Sequence, residues 1–245
     1  MGCVTTMNKH QLVKLVSSFS MADGGLYRKS DNGNAYFMMN MLAKHSDYID
    51  WVQQTLENIV HVNRRDFINE KNSPNLMTNI NTRTHPMLTT IHGRIYRDKY
   101  KSLDEHVVQH MDWEVLAIFY MADGCLSVER PNPRKGLINP SPNLSLNMKR
   151  LSYGDQWMLK KILKDKFDLE FNILKHNING KTYYYMRLRN KDIPKFMSGI
   201  AQYILPSFQY KLFNCSNEKL RNADDDIVCS VEQSTEEHRN DVPSI

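Results

Sequence analysis

Two short segments of the chain carry the same pattern in equivalent places. Residues 16–24 read VSSFSMADG and residues 116–124 read LAIFYMADG, which puts Asp23 and Asp123 100 positions apart (123 − 23). Each segment ends a stretch with apolar residues at helical spacing, residues 11–22 and 113–122, and a glycine directly after the aspartate favours helix termination. The sequence therefore predicts two equivalent helices, each with an aspartate at its C-terminus.

Further landmarks extend the repetition beyond the two helices. They are Asn40, Trp51 and Lys101 in the first half and Asn147, Trp157 and Lys211 in the second. Repetition of the same residues in the same order indicates a duplicated structural unit, here two pseudo-repeats of about a hundred residues. We expect the two tryptophans to be core residues.

Each pseudo-repeat has the same predicted order of elements: helix, hairpin, helix, hairpin, helix. Polar turns between alternating apolar residues, such as residues 30–34, indicate the hairpins. After the first helices, the predicted ranges are 25–41, 46–59, 59–81 and 86–96 in the first half and 125–148, 152–167, 169–189 and 193–204 in the second. The sequence thus predicts an α+β fold of two pseudo-symmetric αββαββα-type repeats, residues 1–105 and 106–213, followed by an acidic tail, residues 214–245, that is expected to be disordered.

The positive charge of the chain is concentrated before this tail. The formal net charge is +5, and residues 214–245 hold eight acidic and three basic residues, so the tail contributes −5 and residues 1–213 carry +10. A basic body favours a polyanionic partner.

Because no apolar run approaches the roughly 20 residues that span a bilayer, and the N-terminus lacks a signal-peptide layout, we expect an intracellular, soluble protein with no membrane partner.

The paired Met-Ala-Asp-Gly helices and this order of elements resemble the LAGLIDADG homing endonucleases in their single-chain form with two motifs. The resemblance extends over residues of about 10 to 213. It implies that the motif helices pack side by side on a pseudo-twofold axis, that antiparallel β-ribbons form a DNA-binding saddle, and that Asp23 and Asp123 meet in a shared active site. Small residues that suit such a helix interface are Ser17, Ser18, Ala22, Ala117 and Ala122, whereas Ile118 is bulkier than the family usually has.

A second local match concerns the end of the second repeat. Residues 204–212 read ILPSFQYKL, which looks like the I-x-P-x-x-x-Y-K-L signature of one branch of the family, whose lysine lies beside the scissile phosphate. The resemblance implies this role for Lys211, and for Lys101 in the first half, with Lys99 as the alternative. Asn40 and Asn147 match positions where the family orders water near the metals, and a turn or capping role for both stays open.

Two converging carboxylates suit divalent cations. Hydrolysis of a phosphodiester needs an activated water and neutralisation of developing charge, which bound divalent ions supply. Mg²⁺ prefers carboxylate oxygens and water, so Asp23 and Asp123 are expected to bind Mg²⁺, with Mn²⁺ as a substitute. Like charges raise the pKa of one carboxylate when no metal is bound, so metal binding should weaken as pH falls. Lys101 and Lys211 are expected to stabilise developing charge.

The hairpins are the expected DNA-binding elements, because a twisted antiparallel ribbon fits the major groove and presents alternate side chains to base edges. Candidates in the first half are Tyr27, Arg28, Lys29, Asn32, Asn34, Arg64, Arg65, Asn81 and Arg83. Candidates in the second half are Arg130, Arg134, Lys135, Lys175, Asn177, Lys181 and Arg187.

The resemblance implies a monomeric, site-specific endonuclease that breaks both strands of double-stranded DNA at a long recognition site and leaves short 3′ overhangs. One alternative is a group I intron RNA maturase, whose partner is its own intron RNA. The other is a catalytically decayed, sequence-specific DNA-binding protein. Because no splicing domain flanks the repeats, an intein origin is not expected.

Overall fold

The structure is a computed structural model that describes residues 7–69, 74–97, 100–129, 141–178 and 180–212, without the side chains of residues 129, 141 and 178. Its contacts divide the chain into two units, Met1–Phe213 and Asn214–Ile245. The second unit lies outside the described residues, and so do four residues predicted above: Lys99, Arg130, Arg134 and Lys135.

The order of elements confirms the predicted duplication. The first half contains α1 (Lys9–Met21), β1 (Gly25–Arg28), β2 (Ala35–Leu42), α2 (Ser46–Glu57), β3 (Val62–Asn69), β4 (Asn75–Thr82) and α3 (Pro86–Ile95). Three short elements that the sequence did not predict connect the halves: β5 (Tyr96–Arg97), β6 (Tyr100–Lys101) and α4 (Glu105–Gln109). The second half contains α5 (Trp113–Asp123), β7 (Gly124–Glu129), β8 (Ser141–Leu146), α6 (Tyr153–Phe167), β9 (Phe171–Ile178), β10 (Lys181–Leu188) and α7 (Ile193–Ile200). None of the described helices has the length and apolar character that crossing a membrane requires.

Each half forms its own four-stranded antiparallel sheet. The strand orders are β1-β2-β4-β3 and β7-β8-β10-β9, so the second sheet repeats the first strand for strand. The predicted α+β fold with two pseudo-symmetric repeats is therefore confirmed.

The two helices that carry the repeated segment lie in the middle of one apolar core. In α5, every residue from Val115 to Met121 is at most 1% exposed, as expected for a helix that is apolar on all sides. Its neighbour α1 packs against it and is buried from Leu15 onward. The core cluster draws side chains from both halves, so neither half buries its helix alone. Ile118, although bulkier than expected, is fully buried in this packing.

Charged residues fix the relative position of these two helices at their N-terminal ends. Lys14 Nζ of α1 lies 2.7 Å from Asp112 Oδ2 and 2.8 Å from Glu114 Oε2, and its side chain is only 12% exposed. Burial lowers the pKa of Lys14, but the hydrogen bonds to the two carboxylates outweigh it and leave this pKa raised. Asp112 is also the N-cap of α5, where it accepts a hydrogen bond from the Val115 amide. The same carboxylate therefore caps α5 and binds Lys14 of α1.

The expectation for the tryptophans is confirmed for Trp51 and wrong for Trp157. The Trp51 ring is half-buried and meets Phe19 edge-on, with ring centroids 5.0 Å apart. Trp157 is 54% exposed, because the buried face of α6 is formed by its neighbours Gln156, Leu159 and Leu163.

The glycines that follow the two aspartates are required by close packing and not by a left-handed backbone. Gly124 has φ −84°, and among the described glycines only Gly180 has a positive φ. A Cβ atom added at Gly124 would lie 2.1 Å from Tyr120 Cδ2 and 2.4 Å from the Tyr120 carbonyl oxygen. The chain can therefore leave α5 and enter β7 only if this position has no side chain.

Gly124→Ala should consequently lower the free energy of unfolding by about 1–3 kcal/mol, the usual effect of overpacking. Gly93→Ala in α3 is the matched control, since no atom lies within 4 Å of the added Cβ and replacing a helical glycine by alanine stabilises by about 0.5–1 kcal/mol. Urea denaturation of both variants measures the difference. Equal stability of Gly124→Ala and the wild type would contradict the close-packing explanation.

Candidate active site

The C-terminal ends of α1 and α5 bring Asp23 and Asp123 into one site. Asp123 is the last residue of α5, and Asp23 lies two positions beyond the end of α1. Burial, followed by the negative charge of Asp23, raises the pKa of Asp123 to about 7. The negative charge of Asp23 acts on Asp123 only if the two carboxylates lie near each other, so the ends of the two helices bring the predicted aspartates into one site. Asp23 is exposed to solvent, whereas Asp123 is half-buried.

A buried tyrosine that the sequence did not single out belongs to the same site. Tyr48 of α2 is fully buried, and its hydroxyl has no hydrogen-bond partner among the residues that the structure describes. Burial and the charges of Asp23 and Asp123 raise the pKa of Tyr48 well above its ordinary value. Within an apolar helix face a tyrosine is usually a core residue, so the sequence contained no signal for this position.

The donor set formed by these side chains fits a hydrated divalent cation. Two carboxylates supply hard oxygen ligands, and a cation would offset both the burial of Asp123 and the charge of Asp23, which together raise the pKa of Asp123. The unpartnered Tyr48 hydroxyl can donate a hydrogen bond to a coordinated water or a carboxylate oxygen. Asp23 and Asp123 are therefore the residues that would hold Mg²⁺ or Mn²⁺.

Lys101 and Lys211 occupy equivalent places against the ends of the two helices. Lys101 Nζ donates to the carbonyl oxygens of Ala22, at 3.3 Å, and Gly24, at 2.8 Å. Lys211 Nζ donates to the carbonyl oxygens of Met121, at 2.7 Å, and Gly124, at 3.0 Å. Each lysine therefore lies at the end of the motif helix of its own half, where α-helix C-termini favour positive charge. Their place beside the scissile phosphate stays a prediction.

The electrostatic environment of Lys101 includes an arginine that the sequence analysis missed. Burial and the positive charge of Arg150 lower the pKa of Lys101 to about 7, although Asp123 and Asp23 oppose this shift. Arg150 lies three residues after Asn147, and the corresponding residue after Asn40 is Ala43. Comparison of the two repeats could not indicate Arg150, because only one repeat has a basic residue there.

Of the two predicted asparagines, Asn147 contacts an aspartate of the site through its backbone amide. In the second sheet Gly124 pairs with Leu146, and the Asn147 amide donates to the Asp123 carbonyl oxygen at 2.8 Å. In the first sheet Gly25 pairs with Met38, and the Asn40 side chain, two residues further along β2, accepts a hydrogen bond from Asn79 at 2.7 Å. A role of either asparagine in ordering water near the metals stays a prediction.

Each lysine segment is held by an aspartate of the opposite half. Asp47, in the first turn of α2, accepts a hydrogen bond from the Ser207 amide at 2.8 Å, four residues before Lys211. Asp155, in the first turn of α6, accepts one from the Leu103 amide at 3.1 Å, two residues after Lys101. The placement of both lysines therefore depends on docking of the two halves.

The exposed face of the first sheet carries a continuous row of asparagines. The side chains of Asn63, Asn81, Asn79 and Asn40 are linked in that order by amide hydrogen bonds of 3.2, 3.0 and 2.7 Å. Arg65 pairs with Asn79 in the register, and Tyr27 lies on the same face. This polar face, which includes the predicted residues Tyr27, Arg65 and Asn81, leads directly to the candidate active site.

Two predicted arginines lie on the opposite face of the same sheet and have other partners. Arg64 forms an ion pair with Asp50 of α2, with Nη1 2.6 Å from Oδ1. Arg28 Nε donates to the Gly33 carbonyl oxygen at 2.8 Å, and its guanidinium also binds the Asp31 carbonyl. Arg28 therefore closes the β1–β2 turn, which contains the predicted residues Lys29, Asn32 and Asn34.

The second sheet separates the remaining candidates in the same way. Lys181 and Arg187 alternate with the buried residues Met186 and Leu188, so they lie on the exposed face. Lys175 and Asn177 of β9 lie on the other face, where the strand extends past the core and both are exposed. Arg83 follows β4 directly and is exposed.

Comparison with known proteins gives the same fold and one family. A family model described as LAGLIDADG DNA endonuclease family matches residues 20–196. Among solved structures, the homing endonuclease I-WcaI bound to its DNA recognition sequence superposes with a TM-score of 0.65 at 19% identity, covering 85% of this chain and 88% of that chain. The meganuclease I-SmaMI bound to uncleavable DNA superposes with a TM-score of 0.51 at 13% identity, covering 83% and 87%.

Curated relatives match in part of their length. Protein RecA of Mycolicibacterium flavescens is 28% identical over 204 residues, which is 82% of this chain and 46% of the relative. Protein RecA of Mycobacterium leprae (strain TN) is 25% identical over 209 residues, which is 84% of this chain and 28% of the relative. The chain therefore spans less than half the length of these relatives.

The pKa of Asp123 predicts how stability of the metal-free protein depends on pH. The pKa of Asp123 is about 7 in the folded state and about 3.9 in an unfolded chain. Ionisation of Asp123 therefore lowers the free energy of unfolding, by an amount that grows between these two pH values and is complete above about 7. Asp123→Asn should raise the free energy of unfolding at pH 8 in EDTA, and the gain should shrink as pH falls through 7 and vanish below about 4. Urea denaturation from pH 4 to pH 8 measures this dependence. Asp31→Asn in the exposed turn is the control, and a pH-independent effect of Asp123→Asn would exclude the raised pKa.

Proposed function

The chain belongs to the LAGLIDADG DNA endonuclease family, and from this we propose that it is a site-specific, metal-dependent endonuclease that cuts both strands of double-stranded DNA as a monomer. The observation that carries the proposal is the composite site at the ends of α1 and α5, where burial and the charge of Asp23 raise the pKa of Asp123. One aspartate from each half gives each strand of a DNA duplex its own carboxylate, and both residues are present.

The proposed chemistry assigns a role to each side chain of the site. Asp23 and Asp123 hold Mg²⁺, or Mn²⁺ in its place, and the bound cation supplies Lewis acidity and an activated water for phosphodiester hydrolysis. Asp123 must lose its proton before it can act as a ligand, so cation affinity falls as pH drops below about 7. Lys211, and Lys101 in its protonated form, contribute positive charge beside each carboxylate, where negative charge develops during cleavage.

Target recognition is assigned to the exposed faces of the two sheets. The linked asparagines of the first sheet present both amide donors and carbonyl acceptors, which is the pattern needed to read base edges. Arg65, Lys181 and Arg187 add positive charge on these faces. By resemblance to the family, cleavage crosses the minor groove and leaves short 3′ overhangs.

The partial match to RecA proteins does not extend RecA activity to this chain. The chain spans 46% of one relative and 28% of another. A LAGLIDADG segment within a longer RecA chain is the arrangement of an intein-encoded endonuclease, so the sequence-based expectation against an intein origin is not retained.

Replacing either aspartate tests the composite site. Asp23→Asn and Asp123→Asn should each lower double-strand cleavage in Mg²⁺ by about 100-fold or more, the loss seen when one electrostatic stabiliser leaves a preorganised site. DNA affinity should stay near that of the wild type, because neither residue lies on the sheet faces assigned to recognition. A duplex selected from a randomised library by binding to the wild-type protein serves as the substrate, and cleavage and binding are measured on it separately.

The wild type and Asp31→Asn are the controls for this experiment. Loss of DNA binding in either aspartate variant would mean that the residue is structural. Specific binding by the wild type without cleavage in Mg²⁺ or Mn²⁺ would identify a decayed DNA-binding protein instead of an endonuclease.

Two adjacent arginines on opposite faces of β3 test the recognition surface. Arg65→Ala should weaken binding of the selected duplex by about 1–3 kcal/mol and reduce its salt dependence. Arg64→Ala removes the same charge one residue away, but Arg64 forms an ion pair with Asp50. This variant should therefore leave DNA affinity unchanged and lower the free energy of unfolding by roughly 0–1 kcal/mol, the usual contribution of an exposed ion pair. Filter binding at several salt concentrations compares the two. A larger loss of affinity in Arg64→Ala would assign recognition to the opposite face.

A further inference from the structure

Three histidines gather at the end of the molecule where α1 begins. His10 lies in the first turn of α1, and His106 and His110 lie four residues apart, on and directly after α4. One ring nitrogen from each lies within 4.8 Å of the other two. Among the described residues this is the only group of three or more histidine, cysteine or acidic side chains with such spacing.

Backbone carbonyl groups orient two of the three imidazole rings, those of His106 and His110. His110 Nδ1 donates to the His106 carbonyl oxygen at 2.9 Å, which leaves the lone pair of its Nε2 atom available. His106 Nε2 lies 3.4 Å from the His10 carbonyl oxygen. Metal-bound histidines usually have such a carbonyl or carboxylate partner on the second ring nitrogen, which fixes the tautomer and the ring orientation.

The surroundings leave room for a metal and for a further ligand. A cleft of about 340 Å³ adjoins the cluster and is lined by His10, His110, Lys14 and Asp112, among others. The charge of Lys14 is matched by Asp112 and Glu114. His10 and His110 are exposed, so an ion can reach the cluster from solvent.

We propose that His10, His106 and His110 form a second metal site, which binds Zn²⁺ or a similar imidazole-binding transition metal with water as the fourth ligand. Three histidines and a water are a known Zn²⁺ ligand set, and imidazole favours Zn²⁺, Ni²⁺ and Cu²⁺, whereas Mg²⁺ favours oxygen ligands. His10 precedes Asp23 by 13 residues, which is roughly 20 Å along a helix. The two sites therefore differ in both location and metal preference.

The metal would join the segment that connects the two halves to the first motif helix. The helix α4 has five residues, too few to be stable by itself, and it lies in the segment that connects the two halves. Its buried contact with the core is Val107. A metal held by His106 and His110 from this segment and by His10 from α1 fixes the connection against the first motif helix.

The test is a Zn²⁺ titration of the metal-depleted full-length protein in excess Mg²⁺. The wild type should bind one equivalent of Zn²⁺, and Co²⁺ in its place should give the visible absorption of a four-coordinate site. Zn²⁺ at a hundred times its dissociation constant should raise Tm by roughly 5–10 °C. His10→Ala and His110→Ala should each weaken Zn²⁺ binding at least tenfold and remove most of this rise.

Two controls separate this site from other sources of Zn²⁺ binding. The first control, His61→Ala, replaces an exposed histidine elsewhere in the chain. The second is the double variant Asp23→Asn and Asp123→Asn, which removes the carboxylates of the other site. Both proteins should bind Zn²⁺ with the affinity of the wild type. Circular dichroism verifies that each variant is folded, and His10, in the exposed first turn of α1, is the substitution least able to disturb the fold. Absence of saturable Zn²⁺ binding, or equal affinity in His10→Ala, His110→Ala and the wild type, would overturn the proposal.

Discussion

The packing of α1 against α5 within one shared core is the constraint on which the candidate active site depends. Every residue of α5 from Val115 to Met121 is buried, so the helix cannot move without exposing side chains whose burial stabilises by about 1.5–3 kcal/mol each. The separation of Asp23 and Asp123 is therefore imposed by apolar packing. Burial of Asp123 and its repulsion by Asp23, which together raise the pKa of Asp123, are a local cost that the core offsets, as is common where a functional site reduces stability.

The cationic side chains of the site depend on the same docking of the two halves. Lys101 and Lys211 bind carbonyl groups at the ends of the helices, but their segments are anchored by Asp155 and Asp47 of the opposite halves. One half by itself would have a lysine without its anchor and an aspartate without its partner. The pseudo-twofold arrangement is a consequence of duplication, and the site forms only when the two halves are docked in this way.

The sequence predicted those features that depend on periodicity and repetition. The pair Asp23 and Asp123 followed from comparing the two repeats, and the hairpins followed from alternation. The resemblance to the family indicated Lys211, and Lys101 with Lys99 as its alternative. Features that depend on tertiary contacts did not follow: the short helix α4 has too few residues for a periodic signal, and Arg64 differs from Arg65 only in the strand face it occupies. Tyr48 resembled any core tyrosine, because its relation to the carboxylates exists only in the folded chain.

The two halves match in backbone but differ in the charges around their aspartates. Asp23 is exposed while Asp123 is half-buried, and Lys101 is only 8% exposed while Lys211 is half-buried. Arg150 adds a positive charge near Lys101 and Asp123, and Ala43 at the corresponding place in the other repeat adds none. Burial raises the pKa of Asp123 to about 7 and lowers the pKa of Lys101 to about 7. The charges of both groups therefore change around neutral pH, and a symmetric backbone supports an electrostatically asymmetric centre.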